Sequence, residues 1–226
     1  MEKKQLLIGA HISTQGGFYK ALERGESIGC TAIQIFTKSN RQWHAKPITE
    51  EEATIFKKTL KTTNISYVMA HASYLINLAS DKKEIREKAI RALIKELERC
   101  HILGISHLVL HPGSHIKQGE EVGLQHIISG INTAFENSTN ATMILLETMA
   151  GQGSSLGATF ENLAFIKKGI VKKDKVGICL DTCHIFAAGY NFNTKKEYNA
   201  LWEHFDKVIG IKHLKAIHMN DSKKRM

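Results

Sequence analysis

The 226 residues are 42% hydrophobic and 23% charged, the balance of a globular chain rather than a disordered or fibrous one. Lys and Arg number 31 against 22 Asp and Glu, and the formal charge of +9 favours a polyanionic partner such as nucleic acid. With 2 prolines and no low-complexity divider, one domain over 1–226 is expected. The 4 cysteines form no C-x-x-C pair, which excludes zinc-finger and thioredoxin readings, and no stretch has signal-peptide or membrane-spanning character. A soluble intracellular protein with reduced thiols is the expectation.

Along the chain, short apolar runs alternate with longer amphipathic ones. LLIGAHIS reads as a strand and GGFYKALERGESIG as a helix; TAIQIFT is a strand, and ITEEEATIFKKTLKTTN a helix opened by the capping-box pattern Thr49-x-x-Glu52. The strand ISYVMAH precedes a helix over DKKEIREKAIRALIKELERCHILG, with Ile85, Ala89, Leu93 and Leu97 on one face and Gly104 as its stop. Then come the strand ISHLVLHPG, the helix EEVGLQHIISGINTAFENS and the strand ATMILLETMA. The helix TFENLAFIKKGI, the strand KVGICLDTCH, the helix TKKEYNALWEHFDKVIG and a strand over Ile211–His218 complete the series. Near-continuous apolar strands separated by helices indicate a parallel α/β sheet buried on both faces. An open doubly wound sheet competes with a closed TIM (β/α)8 barrel, of which about seven of eight βα units are present. The first strand is not followed by G-x-G-x-x-G, and the barrel accounts better for where the polar residues sit.

Those polar residues lie at strand ends. YVMAH finishes at His71, LVLH at His111, MILLE at Glu147, GICLD at Asp181 with His184 just beyond, and LKAIH at His218. One His at a strand end is ordinarily a hydrogen-bonded loop residue, and one acid there ordinarily caps the following helix. So many in one chain favour a shared cation, because clustered ionisable groups without one would repel or lie unpaired. Imidazoles and carboxylates suit Zn²⁺, less often Mn²⁺ or Fe²⁺. Six ligands exceed one tetrahedral ion, so a multinuclear site of the kind that hydrolyses phosphate esters is expected, with Glu147 as a bridging carboxylate. His11 and His115 are weaker candidates, and alternation turns Cys183 away from the side Asp181 faces.

Three loops carry candidate substrate contacts. Lys38-Ser39-Asn40-Arg41-Gln42-Trp43 mixes cations with an aromatic, suited to phosphates and an unstacked base. Ala72-Ser73-Tyr74-Leu75-Ile76-Asn77 offers an aromatic–aliphatic pair able to wedge into a duplex, and the loop from Gly151 to Gly157 allows close backbone approach. Trp43, Tyr74 and Leu75 serve equally well as anchors against the barrel rim.

FTKSNRQW, HASYLIN, LVLHPGSH, ETMAGQGSSLG, CLDTCHIFAAGY and HMNDSK, in this order, resemble endonuclease IV, the zinc-dependent apurinic/apyrimidinic endonuclease family of base-excision repair. The resemblance implies a TIM barrel with three zinc ions. His71 and His111 would bind one, Glu147 would bridge it to a second held by Asp181 and His218, and His184 would bind a third. It further implies cleavage of duplex DNA 5′ to abasic sites by a metal-bridging hydroxide, leaving a 3′-hydroxyl, and removal of blocked 3′ ends. Arg41, Tyr74 and Leu75 match the residues that penetrate the DNA, and a cytoplasmic monomer acting in DNA repair is expected. Ala72 stands where Asp is common, and Thr148-Met149 where Asn-Thr is usual, both beside ligands.

The family pattern continues past HxNDSK through an Asp-x-His segment and an eighth strand ending in Glu, which complete the third and second zinc sites. The expectation is therefore a C-terminally truncated member with an incomplete third site, exposed edges on its first and last strands, and weak or absent cleavage. Two alternatives are a metal-dependent sugar-phosphate isomerase or epimerase on the same kind of barrel, and a DNA-binding remnant without catalysis.

Overall fold

The computed structural model describes residues 6–138 and 141–222; the basic run Lys223-Lys224-Arg225 lies outside them. Strands and helices alternate in the order expected. The elements are β1 (Gly9–His11), α1 (Phe18–Ser27), β2 (Ala32–Phe36), α2 (Glu50–Thr62), β3 (Tyr67–His71), α3 (Lys83–Leu103), β4 (His107–Leu110) and β5 (Gly113–Ser114). They continue with α4 (Glu120–Glu136), β6 (Met143–Glu147), β7 (Ser155–Leu156), α5 (Phe160–Gly169), β8 (Val176–Asp181), α6 (Thr182–Ala187), α7 (Lys195–Val208) and β9 (Leu214–His218). No helix among the described residues is long and apolar enough to cross a membrane.

The described residues form two compact units: 6–75, 95–108 and 141–142 in the first, and 76–94, 109–138 and 143–222 in the second. In the first, β1, β2 and β3 pair in parallel, with the register running from Ala32 beside Tyr67 to Phe36 beside His71. Ile33, Ile35, Leu22 and Phe56 are buried there, so the strand interior and one face each of α1 and α2 form the core. Helix α2 starts at the expected capping box, in which the Thr49 side chain accepts from the Glu52 amide and the Glu52 side chain accepts from the Thr49 amide. Such a cap contributes about 1 kcal/mol.

In the second unit β6, β8 and β9 pair in parallel, and all six residues of β8 are buried, as a strand covered on both faces requires. Glu147 lies beside Cys179 and Asp181 beside His218. Cys179 and Asp181 are two residues apart, so Glu147, Asp181 and His218 share one face of the sheet. Helix α7 opens with a second capping box, Thr194 with Glu197, and Phe205 packs edge-on against Phe160 of α5 at 5.1 Å.

Several expectations need correction. The first strand is only three residues, and Leu6, Leu7 and Ile8 ahead of it are exposed rather than buried. Ile211–His213 form a 3-10 turn instead of the start of a strand: Gly210 takes a left-handed φ of 93° and the Asp206 carboxylate accepts from the Ile211 amide at 2.6 Å, pinning the turn. On α3, Ala89, Leu93 and Leu97 are buried, but Ile85 in the first turn is 39% exposed, and Cys100 extends the buried face instead. Helix α6 and the two-residue antiparallel ladder of β5 with β7 carry no periodic signal in the sequence. All four cysteines are unpaired; burial lifts the Cys100 and Cys179 thiols well above their usual range, which keeps them inert.

Candidate functional site

His111, Asp181, His184 and His218 stand around Glu147, which is 1% exposed at the end of β6. Its two oxygens face different partners: Oε2 lies 3.0 Å from His111 Nε2, and Oε1 lies 2.8 Å from His218 Nδ1 and 3.6 Å from His184 Nδ1. Asp181, also buried, places Oδ2 at 3.8 Å from both His184 Nδ1 and His218 Nδ1. The imidazoles close the cluster toward solvent, with side chains 27%, 25% and 14% exposed for His111, His184 and His218.

Burial alone would favour neutral His218. The hydrogen bond and negative charge of Glu147, with Asp181 beyond it, outweigh that and raise its pKa above the ordinary histidine value. A field that favours positive charge on an imidazole also favours a metal cation. Glu147, Asp181 and His184 each offer a donor atom within 4.8 Å of the others. Two ligands about 2.1 Å from one tetrahedral zinc stand ~3.4 Å apart, and the nitrogen–oxygen separations here, 2.8 to 3.8 Å, bracket that value. The donor set and its spacing fit zinc.

The surrounding hydrogen bonds orient these groups. Asp181 is both a helix cap and a site residue: Oδ1 accepts from the His184 amide at 3.0 Å, capping α6, while Oδ2 accepts from Asn220 Nδ2 at 2.6 Å. The cap reading and the ligand reading thus fall on different oxygens of one carboxylate. His184 donates Nδ1–H to the Thr148 carbonyl at 2.8 Å, which leaves Nε2 as its acceptor nitrogen. Thr148, fully buried, also accepts from the Asp181 amide on its Oγ1 at 2.8 Å. Sequence reasoning misses Thr148 and Asn220 in these roles. It marks Thr148 only as a departure beside Glu147, and the orienting contact to His184 comes from the Thr148 backbone, which no side-chain signal reveals.

In the first unit, His71 ends β3, 3% exposed, and donates Nδ1–H to the Ala72 carbonyl at 2.7 Å, which leaves its Nε2 as the acceptor. Its ring meets Tyr74 at 5.2 Å and Phe36 at 5.5 Å. Arg41 is exposed, Tyr74 is 55% exposed and Leu75 is half-buried, so all three reach the surface. Lys38 does not behave as expected of a phosphate contact. Its side chain is 3% exposed, paired with Glu96 at 3.6 Å and donating to the Gln42 carbonyl at 2.8 Å. A buried carboxylate claims this cation, which leaves Arg41 as the exposed charge of the Lys38–Trp43 loop.

His11 takes the hydrogen-bonded role, its Nδ1 3.0 Å from the side-chain Nε2 of Gln34 and its ring tilted against Phe36. Cys183 sits within α6 rather than on a continuing strand, so alternation does not govern it. In the Gly151–Gly157 loop the glycines serve backbone shape: Gly151, Gly153 and Gly157 have φ of 81°, 59° and 91°, and a Cβ on Gly157 would meet Pro112 at 2.8 Å.

The family model described as the xylose isomerase-like TIM barrel matches residues 22–226. A probable endonuclease 4 from Geotalea daltonii is 46% identical over 218 residues, 96% of this chain and 76% of the relative. One from Chloroflexus aurantiacus is 48% identical over 217 residues, with the same shares. The crystal structure of endonuclease IV from Thermus thermophilus superposes with a TM-score of 0.84 at 29% identity, over 97% of this chain and 78% of that one. A D-tagatose 3-epimerase-like protein, 18% identical with a TM-score of 0.72, shares the fold alone. The TIM-barrel fold expected from the strand–helix alternation is thereby shown, and the chain spans about three quarters of the length of these curated relatives.

Proposed function

Because the chain belongs to the endonuclease IV family, we propose that it acts on duplex DNA, hydrolysing the phosphodiester 5′ to abasic sites to leave a 3′-hydroxyl and clearing blocked 3′ ends. The observation that carries this reading is the Glu147 carboxylate, buried, with His111 and His218 on its two different oxygens. That arrangement suits a carboxylate shared between two cations, and paired cations suit phosphate-ester chemistry.

His111, Glu147, Asp181, His184 and His218 would hold zinc, and His71 is proposed as a further ligand on the family pattern. When bound, zinc supplies Lewis-acid polarisation of the phosphate and a low-pKa water. The residues of this chain do the rest. Thr148 and Asn220 hold Asp181 and His184 in orientation, and Arg41, Tyr74 and Leu75 supply an exposed cation and apolar wedge for a distorted duplex. The formal charge of +9 supports sequence-independent attraction to the backbone. The likeness to epimerases is one of fold, so the sugar-isomerase reading gains no specific support.

The test uses an end-labelled duplex with one abasic site, zinc-loaded protein in excess, and an undamaged duplex and a ketose as comparisons. We expect the abasic duplex to bind more tightly than the undamaged one, and any cut to fall 5′ to the site with a 3′-hydroxyl, abolished by chelator. Equal binding of both duplexes with no such cut, or turnover of the ketose, would overturn the reading.

A further inference from the structure

A second buried carboxylate is not one of the strand-end residues and is given no part in the proposed chemistry. Glu96, on α3, is 1% exposed. Its Oε2 accepts from Thr37 Oγ1 at 2.6 Å, and its Oε1 accepts from the Ser73 amide at 3.2 Å and lies 3.6 Å from Lys38 Nζ. One carboxylate thus holds the first residues after β2 and the residues after β3 together.

The connection extends in both directions. Lys38 passes its ammonium on to the Gln42 carbonyl at 2.8 Å, closing the 38–42 loop on itself. Ser73 Oγ donates to the Asn40 carbonyl at 2.9 Å and lies 3.4 Å from the Leu75 amide, tying the two loops directly. Arg99, one turn along α3 from Glu96, donates to the Thr37 carbonyl from two of its nitrogens and to the Lys46 carbonyl at 2.7 Å. Thr37, Ser73 and Arg99 are all buried. Loop backbone is ordinarily the most mobile part of a fold. Here two loops are fixed to one helix through a buried carboxylate and a buried guanidinium, and hydrogen bonds to ionised groups are roughly twice as strong as neutral ones.

These two loops carry Arg41, Tyr74 and Leu75. We propose that Glu96 is a positioning residue for DNA recognition: it locks the loops after β2 and β3 into one rigid unit, so that the exposed cation and the wedge pair meet the duplex pre-ordered. This role rests on the proposed action on abasic DNA. Pre-ordering removes the entropy that the loops would otherwise lose on binding, and the benefit goes to the distorted duplex that engages both loops.

The test compares wild type, Glu96→Gln, Ser73→Ala and Leu97→Ala. Leu97 is fully buried on the same helix and controls for general loss of stability. Hydrogen exchange of residues 37–43 and 72–75 is measured without DNA, and affinity is measured for abasic and undamaged duplexes, with zinc content checked throughout. Glu96→Gln is expected to speed exchange in both loops together and to lower abasic affinity about tenfold, with undamaged affinity and zinc content unchanged. Ser73→Ala is expected to do the same more weakly, and Leu97→Ala to leave the ratio of the two affinities intact. Unchanged loop exchange in Glu96→Gln, or the same fall in the ratio with Leu97→Ala, would overturn the role. A wild-type chain that does not distinguish the two duplexes overturns the proposed function and with it the recognition role, while the exchange data still decide whether Glu96 braces the loops.

Discussion

Glu96 and Glu147 are equally buried, each 1% exposed, yet their surroundings are opposite in kind. Glu96 is answered by the Lys38 ammonium, the Thr37 hydroxyl and the Ser73 backbone amide. Glu147 is answered by imidazoles whose charge depends on a proton, and one of them, His184, also spends its Nδ1–H on a carbonyl. A second carboxylate, Asp181, adds to the negative field there. A buried carboxylate therefore does not by itself mark a site. It marks one when its neighbours are imidazoles and a further carboxylate, a donor set suited to a metal cation.

The contrast is most strongly tested by making the same change at both positions. Glu147→Gln removes the proposed shared ligand and is expected to weaken zinc binding at least about a thousandfold, roughly 4 kcal/mol, measured by competition with a chromophoric chelator. Without metal the same variant should differ from wild type by no more than ~1 kcal/mol in urea unfolding, because a neutral amide can keep the hydrogen bonds. Glu96→Gln should behave in the reverse sense. It leaves the Lys38 ammonium buried without its counter-charge and costs about 3 kcal/mol in stability, with zinc affinity unchanged. Equal destabilisation by the two variants in chelator would erase the distinction.

Smaller effects sharpen each side. Thr148→Val removes the acceptor of the buried Asp181 amide and is expected to cost about 2 kcal/mol and to lower zinc affinity about tenfold. Calorimetric unfolding and the same chelator competition read both effects. Smallest are the helix caps: Thr49→Ala in the first unit and Thr194→Ala in the second should each cost about 1 kcal/mol, leaving zinc affinity untouched. A cap variant that altered metal binding would show the cluster to be less insulated than its hydrogen bonds indicate.

The difference between the two glutamates also explains what is legible in the sequence. Glu147 stands out because MILLE presents an acid after four apolar residues, where only compensation makes burial tolerable. Glu96 lies in KELER, where charges recur at neighbouring positions and exposure is the default for each. Its burial depends on Thr37 and Ser73, 59 and 23 residues away in sequence, and no local pattern encodes that meeting. Lys38 misleads for the same reason, since its partner is remote.

Seven strands and the six long helices between them are legible from periodicity, whereas α6 is not. Six residues capped by Asp181 give too short a run for a helical period, and the capping acid itself reads as a ligand. Ile85 shows the converse failure. Periodicity places it on the buried face of α3, but the first turn of a helix can extend past the surface its later turns cover.

The most direct measurement is anomalous diffraction at the zinc edge from crystals of this chain grown with zinc. Two peaks are predicted at Glu147, one about 2.0–2.2 Å from each carboxylate oxygen, one of them also within bonding distance of His111 and the other of Asp181 and His218. Zinc confined to exposed histidines, with Glu147 bound only to protein hydrogen-bond partners, would contradict the account.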